Sequence, residues 1–257
     1  MKKLLLAIFA IFAALPFCSA QDQMETVRVV FFPYREAILA SRIDGVVLEN
    51  NLRIGQRFNK GELLVKLDPT RYLTEIERAK ALEAENIALQ KFAQEALVVQ
   101  EDLFKQNMGS ELDFKKAKLD VETSAARLKA TRINLKDAQD QLSYCEIRAP
   151  FSGRIEEIAT RSFETLRAGQ PLMKVIDDNQ LKAAMFVPVD QLSKLKLGTE
   201  VAVTCTDTKQ TIKGKVFEIA PRADHRSGTI EIHVLVPNEN GTITAGMTGE
   251  YKYARPR

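Results

Sequence analysis

The chain has 257 residues, of which 45% are hydrophobic and 28% are charged, and its formal net charge is +3. This length is too great for one small domain and short for three full ones, and the composition is that of an ordered protein. The nearly balanced charge argues against a nucleic-acid-binding surface. The sequence shows no Ser/His/Asp or Cys/His arrangement for nucleophilic catalysis and no phosphate-binding loop. It therefore predicts a protein that is not an enzyme and holds no cofactor.

The N-terminus has the pattern of an export signal. Lys2–Lys3 precede an apolar run from Leu4 to Phe17, and Cys18–Ala20 supplies the small residues of a cleavage site. We place the cleavage after Ala20, so that residues 1–20 form a signal peptide. Two alternatives stay open. One is an uncleaved anchor, although a membrane span needs about 20 apolar residues. The other is lipidation of Cys18.

Residues 21–42 contain two short apolar runs, Val27–Phe32 and Ala37–Ala40, which predict N-terminal strands that join the later β-region. A pattern of glycines then occupies 43–68 and occurs again within 147–177. Because glycines at such intervals mark turns between short strands, each copy predicts one small β-unit.

The two copies share their spacing. Gly45 and Gly61 lie 16 residues apart in the first copy, and Gly153 and Gly169 lie 16 residues apart in the second. After the later glycine of each copy, a Leu and a Lys keep the same offsets. The sequence therefore predicts a β-unit that occurs twice, with residues 69–146 inserted between the two copies.

Residues 69–146, between the copies, predict an antiparallel pair of long α-helices. Asp68 followed by Pro69 is a helix-start signal, and 72–106 contains no Gly or Pro. Gly109 can end the first helix and Ser110 can cap the second. With a rise of 1.5 Å per residue, each helix is roughly 50 Å long.

Both predicted helices carry apolar residues at a seven-residue spacing, which is typical of a coiled coil. In the first helix the repeat consists of Leu82, Leu89, Ala96 and Leu103, with Phe92 and Val99 three residues later in two heptads. In the second helix the predicted seam consists of Phe114, Val121, Leu128, Leu135 and Leu142, each of the first four followed three residues later by Ala117, Ser124, Thr131 or Ala138. Large residues alternating with small ones allow a partner helix to approach closely.

Residues 178–257 alternate between apolar and polar in the manner of strands and predict a small antiparallel β-barrel or sandwich. A short helix is predicted at 189–195. Turns are predicted at Gly198, Lys213–Gly214, Ser227–Gly228 and Asn240–Gly241.

Cysteine and histidine residues offer little chemistry. Cys145 and Cys205 are predicted to be buried free thiols, and a disulfide between them is the alternative in an oxidising compartment. His233 and Glu231 share one predicted strand face, but His225 lies in a turn and no third ligand is spaced with them. We therefore predict no metal site.

The split repeat, the segment Ile147–Gly153, the segment Ala168–Leu172 and the late pair Gly246–Met247 occur here in one order and spacing. In these features the chain resembles the periplasmic adaptors, or membrane fusion proteins, of the HlyD-like family. The resemblance covers nearly all of the chain after residue 20. It implies an elongated, multidomain α+β protein. A lipoyl-like β domain is interrupted by an antiparallel α-helical coiled-coil hairpin and is followed by a small β-barrel.

In domain terms, the resemblance assigns 43–68 and 147–177 to the two lipoyl-like halves, 69–146 to the hairpin and 178–257 to the barrel. The family's fourth, membrane-proximal domain is expected to be absent. A lipoyl carrier bears its modified Lys on the turn between the halves, where this chain enters the hairpin. Lys66 and Lys174 are therefore expected to be strand surface residues.

As function, the resemblance implies a periplasmic adaptor that links an inner-membrane transporter to an outer-membrane TolC-like channel. As a non-catalytic subunit of a tripartite efflux or secretion system, it would form rings and could be tethered to the inner membrane. The polar outer faces of the helices are expected to make the contacts between copies. The alternative is a periplasmic scaffold or spacer with the same fold and no pump partner.

The resemblance also places the partner-binding site at the hairpin tip. Its predicted residues are Leu103, Phe104, Gln106, Asn107, Met108, Gly109, Ser110 and Leu112. Family tips often carry an Arg, a Leu four residues later and a Ser seven residues after that. Leu103 and Ser110 fit this spacing, but Val99 stands at the Arg position, and Ala245 replaces the Pro that usually precedes Gly246.

Overall fold

The structure is a computed structural model that describes residues 24–254. The predicted signal peptide, residues 1–20, lies outside this range. The elements in chain order are β1 (Met24–Ala40), β2 (Gly45–Val46), β3 (Arg57–Phe58), β4 (Leu63–Lys66), α1 (Thr70–Lys105), α2 (Glu111–Ser143), β5 (Glu146–Arg148), β6 (Gly153–Ile158), β7 (Thr165–Leu166), β8 (Pro171–Pro188), a 3₁₀ turn (Val189–Ser193), β9 (Glu200–Cys205), β10 (Thr211–Ile219), β11 (Thr229–Pro237) and β12 (Thr248–Ala254).

The chain divides into two compact units. Among the described residues, one unit contains 24–31, Ala183–Val236 and 246–254, and the other contains Phe32–Lys182 and Pro237–Ala245. β1 and β8 contribute residues to both units. The two short N-terminal strands predicted from the sequence are therefore one strand of 17 residues.

The first unit is an antiparallel β-barrel in which the strands follow the order β1-β12-β9-β10-β11-β8, and a β1–β8 pairing closes it. Its core follows from alternation along the strands. In β11, Ile230, Ile232 and Val234 are buried, while the residues between them point outward. Such two-residue periodicity is what a sheet with one apolar face requires. The short helix predicted at 189–195 is a 3₁₀ turn at Val189–Ser193.

One predicted turn of the barrel is wrong. Lys213–Gly214 lies inside β10, where Gly214 pairs with Val201 of β9. A side chain at Gly214 would approach within 2.6 Å of the Leu235 carbonyl oxygen and of neighbouring valine methyls. The glycine is therefore present because adjacent backbone comes close, not because the chain turns.

The second unit contains the split repeat and the hairpin. The core around the two repeat copies draws on both sides of the split. Its most deeply buried members are Val47, Leu67, Leu166, Leu172 and Val175. At Gly153 a Cβ would overlap the Ile176 carbonyl oxygen, which explains why the second copy opens with glycine. Since each half covers the other, neither copy can bury its apolar side chains alone.

The turns of the two copies match. Gly61 and Gly169 both have positive φ, of 82° and 86°. In each case the following residue stabilises the turn by accepting a backbone hydrogen bond with its side chain, Asn59 N to Glu62 Oε2 at 2.8 Å and Arg167 N to Gln170 Oε1 at 3.2 Å. The repeat seen in the sequence is therefore a repeat of local backbone structure.

A second pair of equivalent turns contains Gly55 in the first copy and Phe163 in the second. Both have positive φ, of 80° and 65°. Phe163 is also exposed. A bulky aromatic residue in the left-handed region is uncommon and carries strain.

Asp178 connects several segments of the second unit. Its buried carboxylate lies 2.8 Å from Arg154 Nε and 3.6 Å from Arg57 Nη2. The Asn238 amide donates to the Asp178 carbonyl at 2.9 Å and to the Ile243 carbonyl at 2.8 Å. The two halves of the repeat and the segment 237–245 therefore share one polar cluster, in which opposite charges compensate for burial.

The helices run antiparallel. Arg132 Nε lies 3.1 Å from Glu83 Oε1, and Asn86 Nδ2 donates to Thr131 Oγ1 at 3.2 Å, which fixes the level of α1 against α2. In α2 the predicted seam faces α1. Leu128 is buried, as are Ala117, Thr131 and Ala138, and the remaining large seam residues are partly buried.

In α1 most of the apolar repeat does not face α2, and only Ala96 and Leu103 among its members are partly buried. Leu82, Leu89, Phe92 and Val99 are exposed. The face toward α2 lies one residue further along, at Tyr72, Ile76, Ala79, Glu83, Asn86, Gln90, Ala93 and Leu97. One residue corresponds to a rotation of 100° about the helix axis, so the most apolar stripe of α1 lies beside the intramolecular seam and not in it.

Candidate partner-binding site at the hairpin tip

The first helix ends in a tight turn. α1 stops at Lys105, and Asn107 takes a left-handed conformation with φ of 57°. The Leu103 carbonyl then accepts hydrogen bonds from Met108 N at 2.9 Å and Gly109 N at 3.1 Å. This is the arrangement that ends helices by satisfying their last carbonyl groups. Asn107 is therefore the left-handed residue, whereas the sequence pointed to Gly109.

The second helix starts at Ser110. This residue has an extended backbone, and its Oγ accepts a hydrogen bond from Leu112 N at 3.2 Å, as its predicted capping role requires. Glu111 and Asp113 lie in the first turn, where negative charge is favourable at a helix N-terminus. The tip is thus held by local hydrogen bonds and capping.

An aromatic pair braces the two helices next to the turn. The rings of Phe104 and Phe114 are stacked, with centroids 5.4 Å apart and planes 7° from parallel. Such pairs contribute about 0.5–1.5 kcal/mol beyond their buried area. Phe104, predicted as a partner-binding residue, therefore also has a structural role, and 40% of its surface stays exposed.

Two apolar side chains dominate the accessible surface of the tip. Met108 is 75% exposed and Leu112 is 73% exposed, and Gln106, Asn107 and Ser110 are exposed beside them. Leu103 and Gly109 are only partly exposed. Methionine and leucine side chains that extend into solvent from a rigid turn can fill pockets on a partner protein. The structure thus brings the predicted tip residues together, and it makes Leu103 and Gly109 the least accessible of them.

Charged pairs flank this apolar surface. Lys105 lies 2.8 Å from Glu101, and Lys115 lies 2.6 Å from Glu111. The hydrogen bond and the negative charge of Glu101 raise the pKa of Lys105 above its ordinary value. Both pairs join residues four apart on one helix, so the charges compensate each other locally.

The base of the hairpin is tied to the split repeat. The Tyr72 hydroxyl donates to the Asp44 carbonyl at 2.7 Å, and Asp44 Oδ1 accepts from Ala168 N at 2.8 Å. Asp68 Oδ1 accepts from the backbone and the hydroxyl of Thr70, and these hydrogen bonds lower the pKa of Asp68. Tyr72, near the start of α1, thus contacts Asp44 of the first repeat copy, which in turn is hydrogen-bonded to Ala168 of the second copy.

Other sequence candidates have ordinary surroundings. Lys174 lies 3.1 Å from Glu156 and 3.3 Å from Glu36, and these carboxylates raise its pKa. His233 lies between Glu218, at 2.8 Å, and Glu231, at 3.0 Å. Within residues 24–254, no group of three or more His, Cys, Asp or Glu side chains is arranged to hold a metal ion.

Both cysteines of the described region are buried and free. Burial raises the pKa of the Cys145 thiol above its ordinary value. The same stretch of chain, 24–254, holds no helix with the length and apolar character that a membrane crossing demands.

Comparison with known families identifies the class. Residues 35–178 match the barrel-sandwich hybrid domain of RND membrane fusion proteins, and residues 179–257 match the CusB-like β-barrel domain. The chain therefore belongs to the RND membrane fusion proteins, which are periplasmic adaptors. Proteins of this class are non-catalytic, as the sequence predicted.

Curated relatives agree with this assignment. The chain is 29% identical over 231 residues to nodulation protein NolF of Rhizobium meliloti, covering 88% of this chain and 63% of that protein. It is 22% identical over 214 residues to multidrug resistance protein MdtA of Proteus mirabilis, covering 80% of this chain and 52% of that protein. The chain thus spans between half and two thirds of the length of these two relatives.

Solved structures share the fold. The membrane fusion protein Spr0693 from Streptococcus pneumoniae superposes with a TM-score of 0.67 at 15% identity, over 90% of this chain and 100% of that one. MacA from Actinobacillus actinomycetemcomitans gives a TM-score of 0.63 at 18% identity, over 90% and 78% of the two chains. At these identities, the likeness concerns the fold.

Proposed function

We propose that this protein is the adaptor of a tripartite export system, joining an inner-membrane transporter to an outer-membrane TolC-like channel in the periplasm. Residues 1–20 would direct its export, with a cleaved signal peptide or an N-terminal tether. The observation that carries the proposal is the hairpin tip, where Met108 and Leu112 are presented to solvent by a turn that hydrogen bonds hold in place. The membership of the family supports it.

The proposed mechanism requires the adaptor to bind its two partner proteins and does not require it to catalyse a reaction. The transporter supplies energy and selects the substrate, and the adaptor supplies a sealed path. We assign the tip to the channel and the barrel and repeat units to the transporter. Several copies would associate into a ring, in which each copy uses two different surfaces to contact its two neighbours.

Stiffness between base and tip supports such a bridging role. The seam of α2 packs against α1 along the hairpin, and the Phe104–Phe114 stack extends this packing to the turn. The Tyr72 hydrogen bond fixes the base. A contact made at the tip can therefore be transmitted to the split repeat without bending of a loop.

Photo-crosslinking from the tip tests the proposal. A photoreactive residue replaces Gln106 or Met108 in living cells, and the captured partner is identified by mass spectrometry. The matched control places the same residue at Gln139, which is exposed on α2 near the hairpin base. We expect an outer-membrane channel in the adduct from the tip and none from Gln139.

A spacer without a pump partner is the second candidate. It is favoured by one observation: Val99, at the position where family tips often carry Arg, is exposed and apolar. Tip crosslinks that contain no channel, from a protein that is folded and exported, would support this candidate. Deletion of the gene separates the two further, since only an adaptor is needed for tolerance to an exported compound.

A further inference from the structure

The methionines of residues 24–254 differ widely in exposure. Met173 and Met185 are buried in β8, with 1% and 0% of their surfaces exposed, and Met247 is partly buried. Met24 is 60% exposed, and Met108 at the hairpin tip is 75% exposed. Because a dissolved oxidant must reach the thioether sulfur, exposure governs how fast a methionine is oxidised. Met108 is therefore the methionine of this region that is most open to oxidation.

The turn at the tip does not depend on the Met108 side chain. The backbone N–H of Met108 donates to the Leu103 carbonyl at 2.9 Å, and Asn107 supplies the left-handed residue. Next to the turn, the rings of Phe104 and Phe114 are stacked. A chemical change at the Met108 sulfur leaves these contacts in place, because most of the side chain lies in solvent. Oxidation would therefore alter the surface of the tip without unfolding the hairpin.

Oxidation of a methionine by hydrogen peroxide is a two-electron step. A lone pair of the sulfur attacks one peroxide oxygen, the O–O bond breaks, an S–O bond forms, and the second oxygen leaves as water with both protons. The sulfur is oxidised and the peroxide is reduced, so no further reactant is needed. Methionine sulfoxide reductases reverse the change. An apolar thioether has then become a polar sulfoxide whose oxygen accepts hydrogen bonds.

We propose that Met108 is an oxidation-sensitive docking residue, and that its conversion to the sulfoxide prevents the tip from binding its partner. This proposal rests on the proposed function, in which Met108 and Leu112 fill apolar pockets of the channel. A sulfoxide in such a pocket buries a polar oxygen that has no donor, and the affinity falls. Leu112 contains no sulfur, so the sensitivity resides in one of the two most exposed apolar side chains of the tip.

The accessibility of Met108 gives the switch a direction. In the free adaptor the sulfur is open to solvent, whereas in the docked adaptor the partner covers it. An oxidant therefore reaches Met108 before assembly and is excluded after assembly. Oxidation prevents new contacts between the adaptor and the channel and leaves existing contacts intact. Repair by a reductase needs the same access, so it acts on the free adaptor as well.

Peptide mapping of the full-length protein tests the chemical step. The purified Met24→Leu variant, which lacks the other highly exposed methionine, is treated with hydrogen peroxide, and mass spectrometry follows the gain of one oxygen at each methionine. We expect Met108 to react at least about tenfold faster than Met173 and Met185, because these two are buried. The unfolding temperature should stay unchanged once Met108 has reacted. Equal rates at the three positions, or a lower unfolding temperature, would overturn the proposal.

Photo-crosslinking from Gln106 tests the effect on docking. Cells that carry the photoreactive residue at Gln106 receive hydrogen peroxide before irradiation, and peptide mapping of the same sample confirms that Met108 is oxidised. We expect at least about fivefold less channel adduct than in untreated cells, because one apolar contact has become polar. Met108→Leu removes the sulfur, so whatever amount of adduct this variant gives should be the same with and without peroxide. Met24→Leu is the matched control and should stay as sensitive as the unmodified sequence, since Met24 is exposed but lies outside the tip.

The outcomes separate this proposal from the proposed function. An adduct that persists although Met108 is oxidised would overturn this proposal alone, and so would an equal loss of adduct in Met108→Leu. No adduct in untreated cells would overturn the proposed function and, with it, the docking role of Met108. Peroxide added after the adaptor and the channel have assembled should leave the adduct unchanged, and a loss at that stage would contradict the stated direction.

A polar substitution gives an independent readout without an oxidant. Glutamine is similar in length to methionine and carries a polar end, so Met108→Gln imitates the sulfoxide. This variant should give as little channel adduct as the oxidised protein, at an unchanged unfolding temperature. Met24→Gln is the matched control and should give the normal amount. A normal amount of adduct from Met108→Gln would show that a polar group at this position does not prevent docking.

Discussion

Phe163 occupies, in the second copy of the repeat, the turn position that Gly55 occupies in the first copy. Both residues have positive φ, of 65° and 80°, and nothing lies within 4 Å of the place where a Cβ on Gly55 would be. The turn geometry is therefore set by the repeat and not by the residue. The second copy tolerates an aromatic side chain at a site that favours glycine.

This relationship predicts a stabilising substitution. Phe163→Gly should raise the free energy of unfolding by about 0.5–1 kcal/mol, because the left-handed conformation costs a non-glycine residue more than glycine loses in chain entropy. Urea denaturation measures the change. The matched variant Gly55→Ala should be destabilised by about 1–2 kcal/mol. Loss of stability in Phe163→Gly would mean that the exposed ring makes a contact that outweighs the strain.

The intramolecular seam predicts a large effect at Leu128, which is only 4% exposed. Leu128→Ala should destabilise the hairpin by about 2–4 kcal/mol through lost burial and the cavity it leaves. Leu128→Glu should unfold the hairpin and abolish export in cells. Thermal unfolding followed by circular dichroism measures the first effect. Lys129→Glu, at the exposed neighbouring position, should change neither stability nor export, and normal export by Leu128→Glu would contradict the bridging role.

The cluster around Asp178 predicts a cost for removing its charge. Asp178→Asn should destabilise the second unit by about 2 kcal/mol. This is below the roughly 3–5 kcal/mol of fully buried pairs, because Arg57 and Arg154 are partly exposed. Glu146→Gln is the control, since its pair with Arg148 is exposed and should be worth less than about 1 kcal/mol. Equal effects of the two substitutions in chemical denaturation would show that burial of Asp178 is unimportant.

Alkaline pH should weaken the hairpin base. Burial raises the pKa of Cys145 above its ordinary 9.0, so the folded protein keeps the thiol proton at pH values where the unfolded chain has lost it. The folded state then binds more protons, and the free energy of unfolding falls as pH rises above 9.0. Urea denaturation at pH 8 and pH 10 should show this fall, and Cys145→Ala should reduce it. An identical fall in Cys145→Ala would assign it to other groups.

The sequence predicted the architecture well where the spacing of residues is compatible with only one structure. The seam of α2 combines large residues every seven positions with small ones between them, and the structure turns this face toward α1. The glycine spacing of the repeat corresponds to matching turns because glycine at positive φ is a local requirement. Family membership, too, follows from order and spacing.

The prediction of the α1 face that packs against α2 failed, because two faces of this helix are compatible with a coiled coil. α1 offers an apolar stripe and, one residue later, a more polar one that contains Glu83 and Asn86. Spacing alone favours the apolar stripe. The structure places the polar stripe against α2, where Asn86 finds Thr131 and Glu83 finds Arg132. Such pairings depend on the sequence of both helices at once, which a pattern along one helix does not contain.

Close approach of backbone is similarly invisible in the sequence. Gly214 looks like a turn residue but lies within a strand, opposite a carbonyl oxygen of the next strand. At the tip, the left-handed residue is Asn107 and not the glycine two positions later. At Gly214 the neighbouring strand decides which residue fits, whereas at the tip the hydrogen bonds that end α1 decide which residue becomes left-handed.

The hairpin leaves and re-enters the second unit at adjacent positions. Lys66 pairs with Glu146, and Leu67 N donates to the Cys145 carbonyl at 2.8 Å. An evolutionary insertion or deletion of one heptad in each helix would therefore lengthen or shorten the hairpin by about 10 Å without moving either end of the sheet. Descendants of one gene could match envelopes of different width in this way, because the reach of the protein and the fold of its base are encoded in separate stretches of sequence.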